Sequence, residues 1–242
     1  MDYIYLNGSS LVKLKLLKSC KQIGAKIQRE NFHKFDAIVI LSNRFLTELK
    51  LVDGKIVCLV NSNFEFENTV TAKHLDIRTT IKSPIISKIN HSMIKELRLS
   101  HLEGISYESF KKFLTPNLIR LELILTVIND LENAGMIILK EAYNLKFLEI
   151  KVTNIPSLKE LAKIERSTKL EGVTISCIKL ELDVDSIALF IQNQLAPGGN
   201  LNLYFAFPQY TKIIGAALDD RPDFSKIFNY KQGVLVINFV KL

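Results

Sequence analysis

The sequence predicts an α/β fold, a horseshoe-shaped solenoid of about eight stacked strand-and-return units with a parallel concave sheet and helical or irregular outer returns. Three observations predict it. A leucine pattern recurs at near-constant spacing, segments of helical period lie between its copies, and the composition suits a packed chain. Of 242 residues 48% are hydrophobic, with only 10 Gly and 6 Pro. That apolar content can offset chain entropy and excludes disorder, while the glycine and proline counts exclude collagen-like and linker compositions.

The pattern is plainest in two copies. Leu118, Leu121 and Leu123 are followed by Thr126 and Ile128, and Leu145, Leu148 and Ile150 by Thr153 and Ile155. Further copies are Leu11, Leu14 and Leu16; Leu46, Leu49, Leu51, Gly54 and Ile56; Ile94, Leu97 and Leu99; and Leu170, Val173 and Ile175. Weaker ones are Ala72, Leu75 and Ile77, and Gly198, Leu201 and Leu203. From Leu46 to Gly198 the starts are 26, 22, 24, 27, 25 and 28 residues apart. A short strand turns alternate residues inward and the chain returns behind it. One such unit cannot bury its apolar face alone, so the units stack.

The returns carry a helical period. In 106–114, Phe110, Phe113 and Leu114 share a face; in 130–142, Leu131, Ala134, Ile138 and Leu139 do. Residues 157–164 offer Leu158, Leu161 and Ala162, and 185–195 offer Ile187, Phe190, Ile191 and Leu195. Asp130 and Ser157 stand where helix N-caps belong, and Glu160 completes a capping box with Ser157. Residues 57–70 lack a helical period and predict an irregular return.

This pattern resembles the leucine-rich repeat, L-x-x-L-x-L-x-x-N/C-x-L, whose period is about 20 to 29 residues. The irregular, cysteine-poor copies are most similar to the repeat region of intracellular F-box/leucine-rich-repeat proteins, over residues 11 to about 205; no F-box motif is seen. The resemblance implies a protein that presents substrates to a ubiquitin ligase. The chain departs from the family at the ninth position, normally Asn or Cys, which reads Ser19, Gly54, Thr80, Leu102, Thr126, Thr153 and Ile178. Threonine and serine can still donate to a carbonyl there; Gly54, Leu102 and Ile178 cannot.

The whole of 1–242 reads as one domain, with 1–45 an irregular N-terminal unit, 46–205 the core repeats and 206–242 a C-terminal cap. The 35 residues between Leu11 and Leu46 fit neither one unit nor two, and Lys34–Leu41 is expected to add a strand there. In the cap, 210–218 predicts a helix with Ile213, Ile214, Ala217 and Leu218 inward, and 233–240 predicts a buried last strand.

In this register the concave face carries, at the middle of successive strands, Lys15, Lys50, Asp76, Arg98, Glu122, Glu149, Thr174 and Asn202. It runs from basic to acidic and polar. Residues 1–121 carry a net charge of +8 and 122–242 a net −1, so the whole +7 lies in the first half. Such a strip suits a protein partner of complementary charge. Phe147, with Ile124, Leu125 and Val152, falls at outward positions where apolar residues would form the centre of a binding site. The partner-binding candidates are therefore Lys15, Lys50, Arg98, Glu122, Phe147 and Glu149. Nucleic acid is the lesser alternative, because Lys111-Lys112 is the only adjacent basic pair.

Motifs for chemistry are absent. No phosphate-binding glycine loop, dinucleotide fingerprint, H-E-x-x-H or G-x-S-x-G stands in the chain. His74 and Asp76 share a strand face with His101 a repeat away, yet no nucleophile accompanies them. Cys20, Cys58 and Cys177 form no metal spacing, and Asp219, Asp220 and Asp223 lack calcium-loop spacing. No catalytic residue, cofactor or metal is expected. The start of the chain lacks a signal-peptide pattern and no apolar run reaches a membrane span, so an intracellular place, cytoplasm or nucleus, with reduced thiols is expected. The expected function is a non-enzymatic protein-binding module, with substrate recognition for a ubiquitin ligase as its specific form. The alternatives are a scaffold subunit or a basic nucleic-acid-associated protein.

Overall fold

The computed structural model describes residues 34–41, 47–51, 56–59, 70–78, 84–102, 104–129, 134–151, 157–178, 183–219, 226–229 and 234–238. It is an α/β protein with a mostly parallel sheet and few helices. The chain divides into two compact units, Met1–Glu96 and Leu97–Leu242.

In the first unit β1 (Lys34–Leu41) is the expected extra strand. It pairs antiparallel with β2 (Thr47–Leu51), which pairs antiparallel with β3 (Ile56–Leu59). On its other side β1 runs parallel to β4 (Thr71–Arg78), with Ile38 opposite Leu75 and Ile40 opposite Ile77, all four buried. This corrects the copy at Leu46, expected as the first core repeat. Only residues 42–46 separate β1 from β2, and a parallel crossover needs roughly a dozen. A chain that short must turn back as a hairpin, so β2 leaves the parallel ladder and β1 joins it. The return expected to be irregular over 57–70 begins inside β3, and residues 60–69 lie outside the described residues. A one-turn helix, α1 (Pro84–Ser87), follows β4.

The second unit opens with β5 (Glu96–Ser100), β6 (Ile105–Ser106), helix α2 (Tyr107–Lys111), β7 (Arg120–Ile124), β8 (Ile128–Asn129) and α3 (Ala134–Glu141). It continues with β9 (Phe147–Lys151), α4 (Leu158–Ala162), β10 (Leu170–Ile178), α5 (Val184–Gln194) and β11 (Leu195–Phe205). Helix α6 (Pro208–Asp219) and strands β12 (Lys226–Asn229) and β13 (Val234–Asn238) complete it. Its sheet runs β5-β7-β9-β10-β11-β13-β12. The steps from β7 to β11 are parallel, and β13 pairs antiparallel with both β11 and β12.

The leucine template is visible as burial. Its first, fourth and sixth positions are buried in the copies starting at Ala72, Ile94, Leu118, Leu145 and Leu170. The inward residues stack in two rows, Leu121-Leu148-Val173-Leu201 and Leu123-Ile150-Ile175-Leu203, which Ile237 and Leu235 of β13 extend. Each such side chain removed from water contributes about 2 kcal/mol. The last copy starts elsewhere than expected. Leu195, not Gly198, stands opposite Leu170, and the register then slips until Asn200 meets Gly172. Gly198 takes φ +79, and a β-carbon on Gly199 would lie 2.9 Å from the Ala196 carbonyl oxygen and 3.0 Å from that of Leu170. Only glycine fits this bulge.

Phe110, Phe113 and Leu114, then Ile138 and Leu139, then Leu158, Leu161 and Ala162, then Ile187, Phe190, Ile191 and Leu195 are buried as the periodicity predicts; Asp130, Leu131 and the side chain of Ala134 lie outside the described residues. Two details differ. Ser157 makes no side-chain cap hydrogen bond; the Glu160 carboxylate is instead held by Lys163 Nζ at 2.6 Å. In α6 the inward stripe is Thr211, Ile214, Gly215 and Leu218, and Ile213 is 59% exposed. Ile214 and Leu218 are buried as expected, while Ile213 and Ala217 are exposed and Thr211 and Gly215, which carry no apolar signal, take the inward places.

Side chains from one return cap the helix before it. Arg166 Nη2 donates to the carbonyls of Ala142, Tyr143 and Leu145 beyond α3. Gln194 Nε2 does the same to the carbonyls of Ala162, the last residue of α4, and Ile164 just beyond it. These groups satisfy carbonyls that a helix end leaves without partners. At the ninth position Thr126, buried, donates from Oγ1 to Leu99 O at 3.0 Å and Ile124 O at 3.1 Å, whereas Leu102 is buried in the core.

Candidate interaction face

The side of the second unit's sheet opposite the leucine rows is polar and partly exposed. Strand alternation puts Arg98, Glu122, Glu149, Thr174 and Asn202 there in one row across β5, β7, β9, β10 and β11. A second row holds Arg120, Phe147, Gly172 and Asn200. The structure therefore brings Arg98, Glu122, Phe147 and Glu149 together. Lys15 lies outside the described residues. Lys50 belongs to β2 of the first unit, in the antiparallel hairpin rather than the ladder.

At the charged end the carboxylates are paired from within. Glu122 faces Arg98 Nη1 at 3.6 Å and Arg120 Nη1 at 3.5 Å, and Glu149 holds Lys151 Nζ at 2.6 Å. Glu122 and Glu149 stand directly opposite on adjacent strands, a like-charge pairing that costs stability unless cations flank it. Here three do. Over the described part of the second unit the row runs from Arg98 through Glu122 and Glu149 to Thr174 and Asn202, with Arg120 and Lys151 set beside the two carboxylates.

Phe147 is half-buried, not an open apolar centre. The Arg120 guanidinium lies 4.6 Å from its ring centroid, and a β-carbon on Gly172 would stand 3.1 Å from its Cδ1. Arginine over an aromatic face is favourable, and the missing side chain at 172 lets the ring lie down. Around it is a depression of about 260 Å³ lined by Arg120, Glu122, Phe147, Glu149, Gly172, Thr174 and Asn200. Beside it Asn202 Nδ2 donates to Thr174 Oγ1 and Asn200 Oδ1, both at 3.3 Å. Arg120, Gly172 and Asn200 were not among the predicted site residues. They share the template column of Phe147, and that column was the signal for them.

Of the other outward residues, Ile124 is half-buried, Leu125 is 54% exposed and Val152 lies outside the described residues. Leu125 has φ +47, and His101 at the equivalent place one copy earlier has φ +56. The left-handed turn thus repeats with the template, and Leu125 N donates to Lys151 O.

The candidate chemistry separates. His74 and Asp76 share a face of β4, but His74 Nδ1 meets Glu96 at 2.9 Å and Asp76 takes Arg78 Nη2 at 2.7 Å, so they form no acid-base pair with each other. Among the described residues no group of three His, Cys, Asp or Glu side chains is placed to hold a metal, and no helix is long and apolar enough to cross a membrane. The shifted ionisations lie off this face. Burial lowers the Arg166 guanidinium to about 10, and the Ser186 hydroxyl and Asp185 N–H lower the Asp183 carboxyl.

Fold and face define an α/β protein with a mostly parallel sheet, one side of which is polar and partly exposed. No protein-family model matches the chain, and no curated protein or solved structure matches it.

Proposed function

We propose that the second unit is a non-enzymatic, leucine-rich-repeat-like binding module that takes a protein partner on the polar side of its parallel sheet. The observation that carries this reading is the partial exposure of Glu122, Phe147, Glu149, Thr174 and Asn202 on that sheet. Parallel sheets are ordinarily buried on both faces and built from nearly continuous apolar runs. A sequence that alternates Leu with Glu, Thr and Asn along parallel strands leaves one face for something else to cover. The repeat spacing and the buried first, fourth and sixth positions support the solenoid; substrate recognition for a ubiquitin ligase and a scaffold role are two forms of the same activity. The basic side chains here are already paired with carboxylates, which argues against a phosphate track.

The test is a photo-crosslinking residue introduced into the full chain at Thr174, with a control at exposed Lys163 beyond α4. A protein captured from Thr174 and not from Lys163 is the expected result. Capture from Lys163 alone, or of nucleic acid from Thr174, would refute the reading. The identity of the captured protein separates ligase subunits from a fixed assembly.

A further inference from the structure

Resting on that reading of the face, we propose that its uncharged end binds the main chain of an extended peptide segment of the partner. The residues are Thr174 on β10, Asn200 and Asn202 on β11 and Asn238 on β13.

The carboxylates at the β5–β9 end are paired with Arg98, Arg120 and Lys151, whereas the described outward residues here on β10, β11 and β13, among them Thr174, Asn200, Asn202, Tyr204, Val236 and Asn238, carry no charge. A charged group seated over Asn200, Asn202 and Asn238 would lose hydration, and the neighbouring carboxylate, Glu149 opposite Thr174, is already held by Lys151. The occupant of that end is therefore neutral.

A primary amide carries an N–H donor and a carbonyl acceptor, the same pair that a peptide group carries. Asn202 spends its Nδ2 on Thr174 and Asn200, which leaves Oδ1 to accept. Asn200 accepts that bond at Oδ1, and its Nδ2 is left to donate. Thr174 Oγ1 accepts from Asn202, which leaves its hydroxyl hydrogen to donate. One bond chain thus sets the polarity of all three side chains toward solvent.

Asn200 and Asn202 are two residues apart on one strand, about 6.7 Å, which is also the repeat of peptide groups that face the same way in an extended chain. Asn238 stands opposite Asn200 on the next strand, about 4.8 Å across. The depression beside Gly172 takes one side chain of the segment as it passes Phe147.

The experiment pans a phage-displayed library of random linear peptides on the intact chain. An enriched peptide is then synthesised with a single N-methyl group at each position in turn. Methylation at two positions separated by one residue is expected to weaken binding about tenfold each, the loss of one hydrogen bond. Asn200→Ala and Asn202→Ala are expected to weaken the unmethylated peptide similarly, with unchanged thermal midpoints because both side chains are half-exposed. Should either fail to fold, Thr174→Val gives the same reading. Failure to enrich any peptide, indifference to N-methylation, or binding to a glycan array instead would overturn the proposal. A protein crosslinked from Thr174 alongside such a failure leaves the face reading intact and removes only this inference, whereas crosslinking from Lys163 alone removes both.

Discussion

Phe147 lies across Gly172 so closely that a β-carbon there would meet its ring at 3.1 Å. The two residues are opposite each other on β9 and β10, and the ring's flatness depends on the glycine. Gly172→Ala pushes a half-exposed ring by a few tenths of an ångström, a cheap move, and removes the entropic cost of glycine in a strand, about 0.5–1 kcal/mol. Its stability should therefore stay within about 0.5 kcal/mol of the parent by urea unfolding. Gly172→Val displaces the ring further and fills the depression, so crosslinking from Thr174 should fall while the fold persists. Unchanged crosslinking in Gly172→Val would show that the depression takes no part in binding.

Thr126 stands where the repeat template has asparagine, and its Oγ1 satisfies the Leu99 carbonyl in the core. Thr126→Val keeps the shape and strands that carbonyl, at a cost of about 1–3 kcal/mol. Thr126→Ser retains the hydroxyl and should lose less than half as much. A loss in Thr126→Ser and none in Thr126→Val, read by chemical denaturation, would locate the effect in the methyl group and not in the hydrogen bond.

The template was legible because burial at first, fourth and sixth positions needs only the identity of residues such as Leu118, Leu121 and Leu123. Strand direction was not. Leu46, Leu49 and Leu51 match the same pattern, yet β2 runs the other way, since alternation of side chains carries no arrow and the short 42–46 link decides. The face was half legible. Glu122, Glu149 and Phe147 follow from alternation along their own strands, but the importance of Gly172 and Arg120 exists only between strands. Ile213 was misplaced because helix phase was read from apolar residues alone, and Thr211 fills a core position with a polar side chain.

Asp183 caps α5, with its carboxylate accepting from Asp185 N at 3.0 Å and Ser186 N at 3.2 Å. These bonds favour the charged form and lower its pKa in the folded chain, the Ser186 hydroxyl contributing most. The stabilisation is therefore fully present above the unfolded value near 3.8 and is lost as pH falls through the lower folded value. Asp183→Ala should cost about 1 kcal/mol at neutral pH. The difference between parent and variant should shrink toward zero below pH 3.8. A difference that stays constant through that range would mean the cap acts without its charge.

Leu125 is exposed and left-handed at φ +47. A left-handed backbone costs an ordinary L-residue roughly 1–2 kcal/mol, and asparagine tolerates it better. Leu125→Asn keeps the N–H that bonds Lys151 O and gives up a side chain that is mostly in water. The variant should therefore be more stable than the parent by about 0.5–1 kcal/mol, measured by urea unfolding. Crosslinking from Thr174 in the same variant then separates two roles for this residue. If capture falls while stability rises, the strained leucine is a contact for the partner, since a binding residue is one place where a chain retains a side chain that weakens its own fold. If capture is unchanged, partner binding does not use the rim at Leu125, and contacts lie on the strand faces between Glu122 and Asn202.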